Sequence, residues 1–213
     1  MSKRLAIGIL VAVVALAAVG AALFLKLGPS TANGPGEQVQ AGQYPKGGHR
    51  QNKGSAGPEK IPGGQEVELG TAVGQRAPDF SLTDLEGKEF SLSDFRGRPV
   101  VLYFSAAWCP SCIPETEALA QIKSEYGDKV EIIWIDVDLK RDSEADLRRL
   151  GKEHGGDFIY AFDRPDNEIA LQFKVRALGT TYILDGRGII RYTDFGPTGY
   201  RTYTRELDKI LGG

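Results

Sequence analysis

The chain has 213 residues, with 26 Lys and Arg against 28 Asp and Glu, a formal charge of -2, and 41% hydrophobic residues. That length and near-average composition leave room for one ordinary globular domain with appendages. The charges are balanced and interleaved, without a dominating basic run, which excludes the electrostatic footprint of a nucleic-acid binder and leaves proteins or small thiols as partners.

Lys3 and Arg4 precede an uncharged run, Leu5 to Leu25, which Lys26 closes. As a helix that run spans roughly 30 Å, the thickness of a bilayer core. It is longer than the apolar region of a cleaved signal peptide, about 7 to 15 residues, so residues 1–27 are expected to be an uncleaved signal-anchor and single transmembrane helix. The basic residues lie ahead of the span, which places the N-terminus in the cytoplasm and everything after Leu27 outside. The expected location is the cell membrane, single-pass, with the remainder on the periplasmic or extracellular side. Residues 28–72 are dense in Gly, Pro and Gln and carry no hydrophobic period. Such a segment cannot bury a core and is expected to be a flexible tether with a reach on the order of 35 to 40 Å, His49 being solvated within it.

Residues 73–213 alternate strand and helix patterns. Pro78 to Leu82 and Glu89 to Leu92 form a hairpin about Asp84-Leu85-Glu86-Gly87. Pro99 to Phe104 is a buried strand, and a helix from Cys109 to about Tyr126 ends at Gly127. Lys129 to Val137 is a strand with Ile133, Ile135 and Val137 on one face and Trp134 and Asp136 on the other. Ser143 opens a helix to about His154, with Asp146 completing a near capping box. Phe158 to Phe162 is extended, Asp166 to Phe173 a short helix, and Thr180 to Leu184 a strand. Asp185-Gly186-Arg187-Gly188 turns that strand into Ile189 to Phe195, and a last helix covers Tyr200 to Leu211. The sum is an α/β domain, a central mixed sheet flanked by helices with an N-terminal β-hairpin extension.

Both cysteines of the chain fall in Cys109-Pro110-Ser111-Cys112, behind Trp108 and at the junction of strand and helix. The first sulfur then sits among unsatisfied N–H groups at the positive end of the helix dipole, which favours thiolate, the form that attacks disulfides. Two cysteines three apart at a helix start are within reach of each other, as disulfide exchange requires. Structural zinc needs four ligands, and only His49 and His154 remain to supply the others, so neither a metal nor a cofactor is expected. Pro110 suits a first-turn position, where its missing N–H costs nothing, and Ser111 offers a hydroxyl. Glu115, three residues beyond Cys112 on the same helical face, is positioned to take its proton if burial raises the carboxyl pKa. Trp108 is expected to shield and pack the site. Asp136 and Asp138, near a strand end, are expected to be solvated, and His154 to be a surface residue or a charge at a helix C-terminus.

Ala77-Pro78-Asp79-Phe80-Ser81-Leu82, Val100 to Phe104 leading into Trp108-Cys109-Pro110-Ser111-Cys112, and Thr180-Thr181-Tyr182-Ile183-Leu184-Asp185 resemble a membrane-tethered TlpA/ResA-type thiol-disulfide oxidoreductase of the thioredoxin superfamily, on the AhpC/TSA-related branch. The resemblance runs from about Val73 to Leu211. It implies a thioredoxin-like fold and disulfide exchange outside the cytoplasm, commonly reduction of apocytochrome c cysteines before haem attachment, with a membrane electron donor upstream and a monomeric enzyme. By position, Cys109 resembles the attacking cysteine, Cys112 the resolving one, and Glu115 a family carboxylate beside the pair. Trp108, Pro110, Gly179 and Thr180 fall where the family meets its substrate.

One departure stands out. The family's cis-proline falls on Gly179, where a cis bond costs about 2.5 to 4 kcal/mol and a trans or altered loop is expected. Loss of that proline bears on substrate affinity and admits a variant that binds a metal or cluster between two protomers. Two further alternatives are a copper-binding module like the Sco proteins, which calls for C-x-x-x-C and a distal histidine, and a peroxiredoxin-like peroxidase. The latter calls for Pro and Thr or Ser where Leu102 and Ala106 stand.

Overall fold

Every residue of the segment Val100–Ser105 is buried, and a strand with two apolar faces is stable only inside a sheet covered on both sides. The computed structural model, which describes residues 59–60 and 66–212, builds the domain around it. In chain order the strands are β1 (Glu59–Lys60), β2 (Glu66–Val67), β3 (Ser81–Thr83), β4 (Glu89–Ser91), β5 (Val100–Ser105), β6 (Glu131–Asp136), β7 (Ile159–Phe162), β8 (Thr180–Leu184) and β9 (Ile190–Phe195). The α-helices are α1 (Ile113–Tyr126), α2 (Glu144–His154), α3 (Ile169–Gln172) and α4 (Tyr200–Leu211). The main sheet has the order β7-β6-β5-β8-β9. β6 runs parallel to β5 and β7 parallel to β6, whereas β8 is antiparallel to β5 and β9 antiparallel to β8.

The alternation expected along β6 is realised across the sheet. Ile133 and Ile135 join Leu102 and Phe104 beneath the hairpin residues Phe80, Leu82 and Phe90 and the α3-flanking Phe173. Ile132 and Trp134 join Val101 and Tyr103 on the opposite face, covered by Leu119 and Ile122 of α1, Leu147 and Leu150 of α2, and Tyr203 and Leu207 of α4. Both cysteines pack against this second face.

Element boundaries follow local chemistry. Ser143 caps α2 in a closed capping box: its hydroxyl accepts from the Asp146 N–H at 3.3 Å, and Asp146 accepts from the Ser143 N–H at 3.0 Å. α3 starts later than the expected Asp166, because the Asp163 carboxylate reaches over to accept from the N–H groups of Ile169 at 2.9 Å and Ala170 at 2.8 Å. The expected tether is ordered at its far end. β1 pairs with β2, and Arg76 and Gly70 exchange backbone bonds with Glu68 and Arg76. Backbone pairing needs no hydrophobic period, and for that reason composition marked residues 66–72 as linker. The expected span Leu5 to Leu25, His49 and most of the tether lie outside the described residues. Among the described residues, no helix is long and apolar enough to cross a membrane.

Phe173 is fully buried, its ring 5.9 Å from Phe80, 5.5 Å from Phe104 and 5.2 Å from Tyr182. Phe173→Ala is expected to lower stability by about 3–5 kcal/mol, read as a shifted urea midpoint at unchanged slope.

Candidate active site

β5 ends in the loop Ala106 to Trp108, and the chain then makes a 3-10 turn, Pro110–Cys112, that runs straight into α1. Cys109 occupies the N-cap position with Pro110 first inside the turn, where proline's missing donor is no loss. The two cysteines form a disulfide, with Cα atoms 5.4 Å apart. The turn is closed by the Cys109 N–H on the Ala106 carbonyl and the Cys112 N–H on the Cys109 carbonyl, each 3.1 Å. The Ser111 hydroxyl stands 3.4 Å from the Cys109 sulfur, a polar neighbour for a thiolate. In this oxidised state Cys109 is 5% exposed and Cys112 6%, so the first sulfur is more covered than an attacking thiolate needs, while Pro110 and Ser111 are exposed beside it.

Glu115, in the first turn of α1, is 3% exposed. One oxygen collects its partners: Oε1 accepts from the Tyr203 hydroxyl at 2.5 Å and the Thr198 N–H at 3.2 Å, with the Thr181 hydroxyl also at 3.2 Å. Thr181 and Tyr203 are themselves linked at 2.9 Å. Burial pushes the carboxyl pKa up, and the bonds from Tyr203, Thr198 and Thr181 pull it part of the way back. The other oxygen, Oε2, is turned to Gly179: a methyl group on Gly179 would stand 3.7 Å from it and 3.7 Å from the Tyr103 hydroxyl. That hydroxyl is buried without a hydrogen-bond partner, and burial followed by the charge of Glu115 raises its pKa.

Gly179 adopts φ +85°, all described peptide bonds are trans, and its N–H donates to the Phe104 carbonyl at 2.9 Å. A proline at this position would lose that bond and could not reach that φ. Thr180 is fully buried, its hydroxyl donating to the Ala177 carbonyl at 2.7 Å, which leaves its side chain no surface to offer a partner. Trp108 is 38% exposed and pinned rather than packed. Its indole N–H donates to Asp138 at 2.9 Å, and the Arg141 guanidinium lies 3.5 Å over its ring. His154 shares a 2.9 Å hydrogen bond with Glu117.

The expectation that Asp136 is solvated fails. It is fully buried, and the loop that follows it holds the segment ahead of Cys109. A strand that buries Trp134 buries the residue two positions on, so strict alternation carried that signal. Thr181, Thr198 and Tyr203, the partners of Glu115, come from segments 66 to 88 residues away in sequence, and nothing in the local pattern announces them.

Residues 73–193 match the model of the AhpC/TSA family. The chain belongs to that family. It is 33% identical over 141 residues to the thioredoxin-like protein YneN of Bacillus subtilis, covering 66% of this chain and 82% of that one. It is 32% identical over 140 residues to the thiol-disulfide oxidoreductase ResA of Geobacillus kaustophilus, covering 65% and 78%. A putative thiol:disulfide interchange protein DsbE from Chlorobium tepidum has the same thioredoxin-like fold, with TM-score 0.58 at 24% identity over 66% of this chain and 99% of that one. With its Cys109–Cys112 disulfide, this member of the family is a thiol-disulfide oxidoreductase.

Because the folded pKa of Glu115 lies above its ordinary value of 4.5, the stability this group contributes is full below that pH and is lost as pH rises through the folded pKa. Wild type is expected to lose stability relative to Glu115→Gln as pH climbs past 4.5, read from denaturation midpoints of both proteins across that range. A pH-independent difference would mean that the carboxyl titrates normally. At Gly179 an added methyl would make only ordinary van der Waals contacts but the backbone is left-handed, so Gly179→Ala is expected to cost about 1–2 kcal/mol, and Gly179→Pro more.

Proposed function

We propose that the chain is a membrane-tethered, extracytoplasmic reductant of protein disulfides, in which Cys109 attacks, Cys112 resolves and Glu115 relays the proton. The observation that carries this reading is the buried Glu115 carboxyl one helical turn from Cys112, with a raised pKa and its second oxygen turned toward Gly179. A carboxyl tuned upward is a better base for a thiol than an ordinary solvated one.

The Cys109 thiolate attacks one sulfur of the substrate disulfide, forming a mixed disulfide and expelling the other sulfur as thiolate. Glu115 takes the Cys112 proton, and the resulting thiolate attacks the Cys109 sulfur. The substrate's second thiolate leaves, and the Cys109–Cys112 disulfide forms. Two electrons pass to the substrate, and a membrane dithiol donor returns them. The exposed Trp108 and Pro110, which flank Cys109 in the chain, and the backbone at Gly179 are the surface assigned to a substrate chain. The basic residues ahead of Leu5 to Leu25 support an outside location, where disulfides persist. Apocytochrome c, whose cysteines must be reduced before haem attachment, is the substrate class to test first.

The reduction potential of the Cys109/Cys112 couple, equilibrated against a thiol buffer, decides the direction of electron flow. A value near or below about -270 mV is expected for a reductant, whereas one near about -120 mV would make the protein an oxidant. In parallel, Cys112→Ser is expected to accumulate a mixed disulfide through Cys109 with a cysteine-pair peptide, and Cys109→Ser to trap none.

A further inference from the structure

Two carboxyl groups lie behind the cysteine turn and take no part in the exchange steps. Asp136, the last residue of β6, is fully buried; its Oδ2 accepts from the Ala107 N–H at 3.0 Å and its Oδ1 from the Asp138 N–H at 2.8 Å. Asp142, between β6 and α2, is 6% exposed and accepts from the Trp108 N–H at 3.2 Å. The two N–H groups immediately ahead of Cys109 are therefore held by two different side chains, and acceptance from consecutive N–H groups sets the two buried carboxyls side by side. Carboxyls in such contact, away from water, cannot both be ionised without strong repulsion, and one proton between them turns the repulsion into a bond.

We propose that Asp136 and Asp142 form a proton-sharing carboxyl pair that positions the Ala107-Trp108-Cys109 turn, and that release of the shared proton to solvent loosens this turn and slows disulfide exchange at Cys109. The charged and titratable groups on the elements packed around Asp136 are few. Asp138, Lys140 and Arg141 share its loop, where Asp138 is engaged by the Trp108 indole and Arg141 by its ring. Asp163, at the end of the neighbouring β7, donates its backbone N–H to the Asp136 carbonyl and spends its carboxylate on the start of α3. The cysteines lie beyond Ala107. Burial raises the Asp136 pKa to about 7, and the charge and hydrogen bond of Asp142 push the same way against the pull of the Asp138 and Ala107 N–H groups. The switch therefore falls near neutral pH. A thiolate on Cys109 adds negative charge to the same turn and holds the proton more tightly, so the pair releases it at higher pH in the reduced protein.

The test follows the Asp136 carboxyl by NMR in the full chain labelled with carboxyl-13C aspartate, assigned with Asp136→Asn, through a pH titration of the oxidised and reduced forms. The rate of Cys109 with 5,5'-dithiobis(2-nitrobenzoate) is measured over the same range. Asp136 is expected to titrate near about 7, with the Ala107 and Trp108 amide shifts following the same midpoint and the midpoint rising on reduction. The rate profile is expected to show a second inflection there, beyond the thiol ionisation, which moves to lower pH in Asp142→Asn. Titration of Asp136 in the ordinary aspartate range would overturn the proposal, as would a titration that leaves both amides and the rate profile unmoved. If Asp142→Asn fails to fold, the wild-type titrations in the two redox states decide alone.

Discussion

Glu115 enters the first turn of α1 with almost no exposure, and the elements around it are arranged to meet its hydrogen-bonding needs. β8 brings Thr181, α4 brings Tyr203, and the loop between β9 and α4 turns the Thr198 N–H inward. A buried carboxyl is tolerated when donors surround it, and removing one donor exposes the full desolvation penalty of the group. Three segments far apart in sequence are thus tied to one oxygen beside the cysteine turn. The tie works in both directions, because a carboxyl that fixes the packing of α4 against the sheet is also fixed by it, in orientation and in proton affinity. The helix dipole at the start of α1 favours the charged form and burial favours the neutral one; burial is the larger influence.

The two-faced sheet determines where this chemistry can happen. β5 is central and covered on both sides, so its side chains are committed to the cores, and reactive groups can project only from its end. The chain leaves that end through Ala106 to Trp108, where backbone N–H groups have no strand partner. Asp136 and Asp142 supply those partners from the end of the adjacent strand and its loop. The cysteine turn is therefore bounded by buried carboxyls on two sides, Glu115 beyond Cys112 and Asp136 behind Ala107. One is surrounded by neutral donors and the other by backbone amides and a second acid.

The fold was readable because its signals are local. Alternation along β6, the Ser143 and Asp146 box, the Asp185 to Gly188 turn and the junction of strand and helix at Cys109 each fix an element from a handful of residues. The cysteine pair was readable for the same reason. What escaped was the environment of the carboxyls. Alternation sets Asp136 on the buried face of Trp134, but whether the last residue of a strand is covered depends on the loop that folds over it, and Asp142 is part of that loop. Tyr203 reads as one aromatic on an amphipathic helix, and only the closed structure places its hydroxyl on Glu115. α3 was expected too early because its first N–H groups are met by Asp163, a residue that a helical period does not include.

Gly179 shows how a departure at one position is absorbed by its neighbours. The backbone there donates to the Phe104 carbonyl and turns through a left-handed conformation, both of which a proline forbids. No side chain separates this loop from Glu115 Oε2 and the Tyr103 hydroxyl. Tyr103 fills the second face of β5 with a ring set edge-on to Trp134, so its hydroxyl is carried to the site by packing rather than by any bond of its own. A side chain on residue 179 would stand in van der Waals contact with both oxygens. Glycine leaves that contact unmade, so no side chain from this loop lies against the carboxyl. The same residue choice that removes the proline's shape from the rim therefore leaves Glu115 Oε2 without a loop side chain over it.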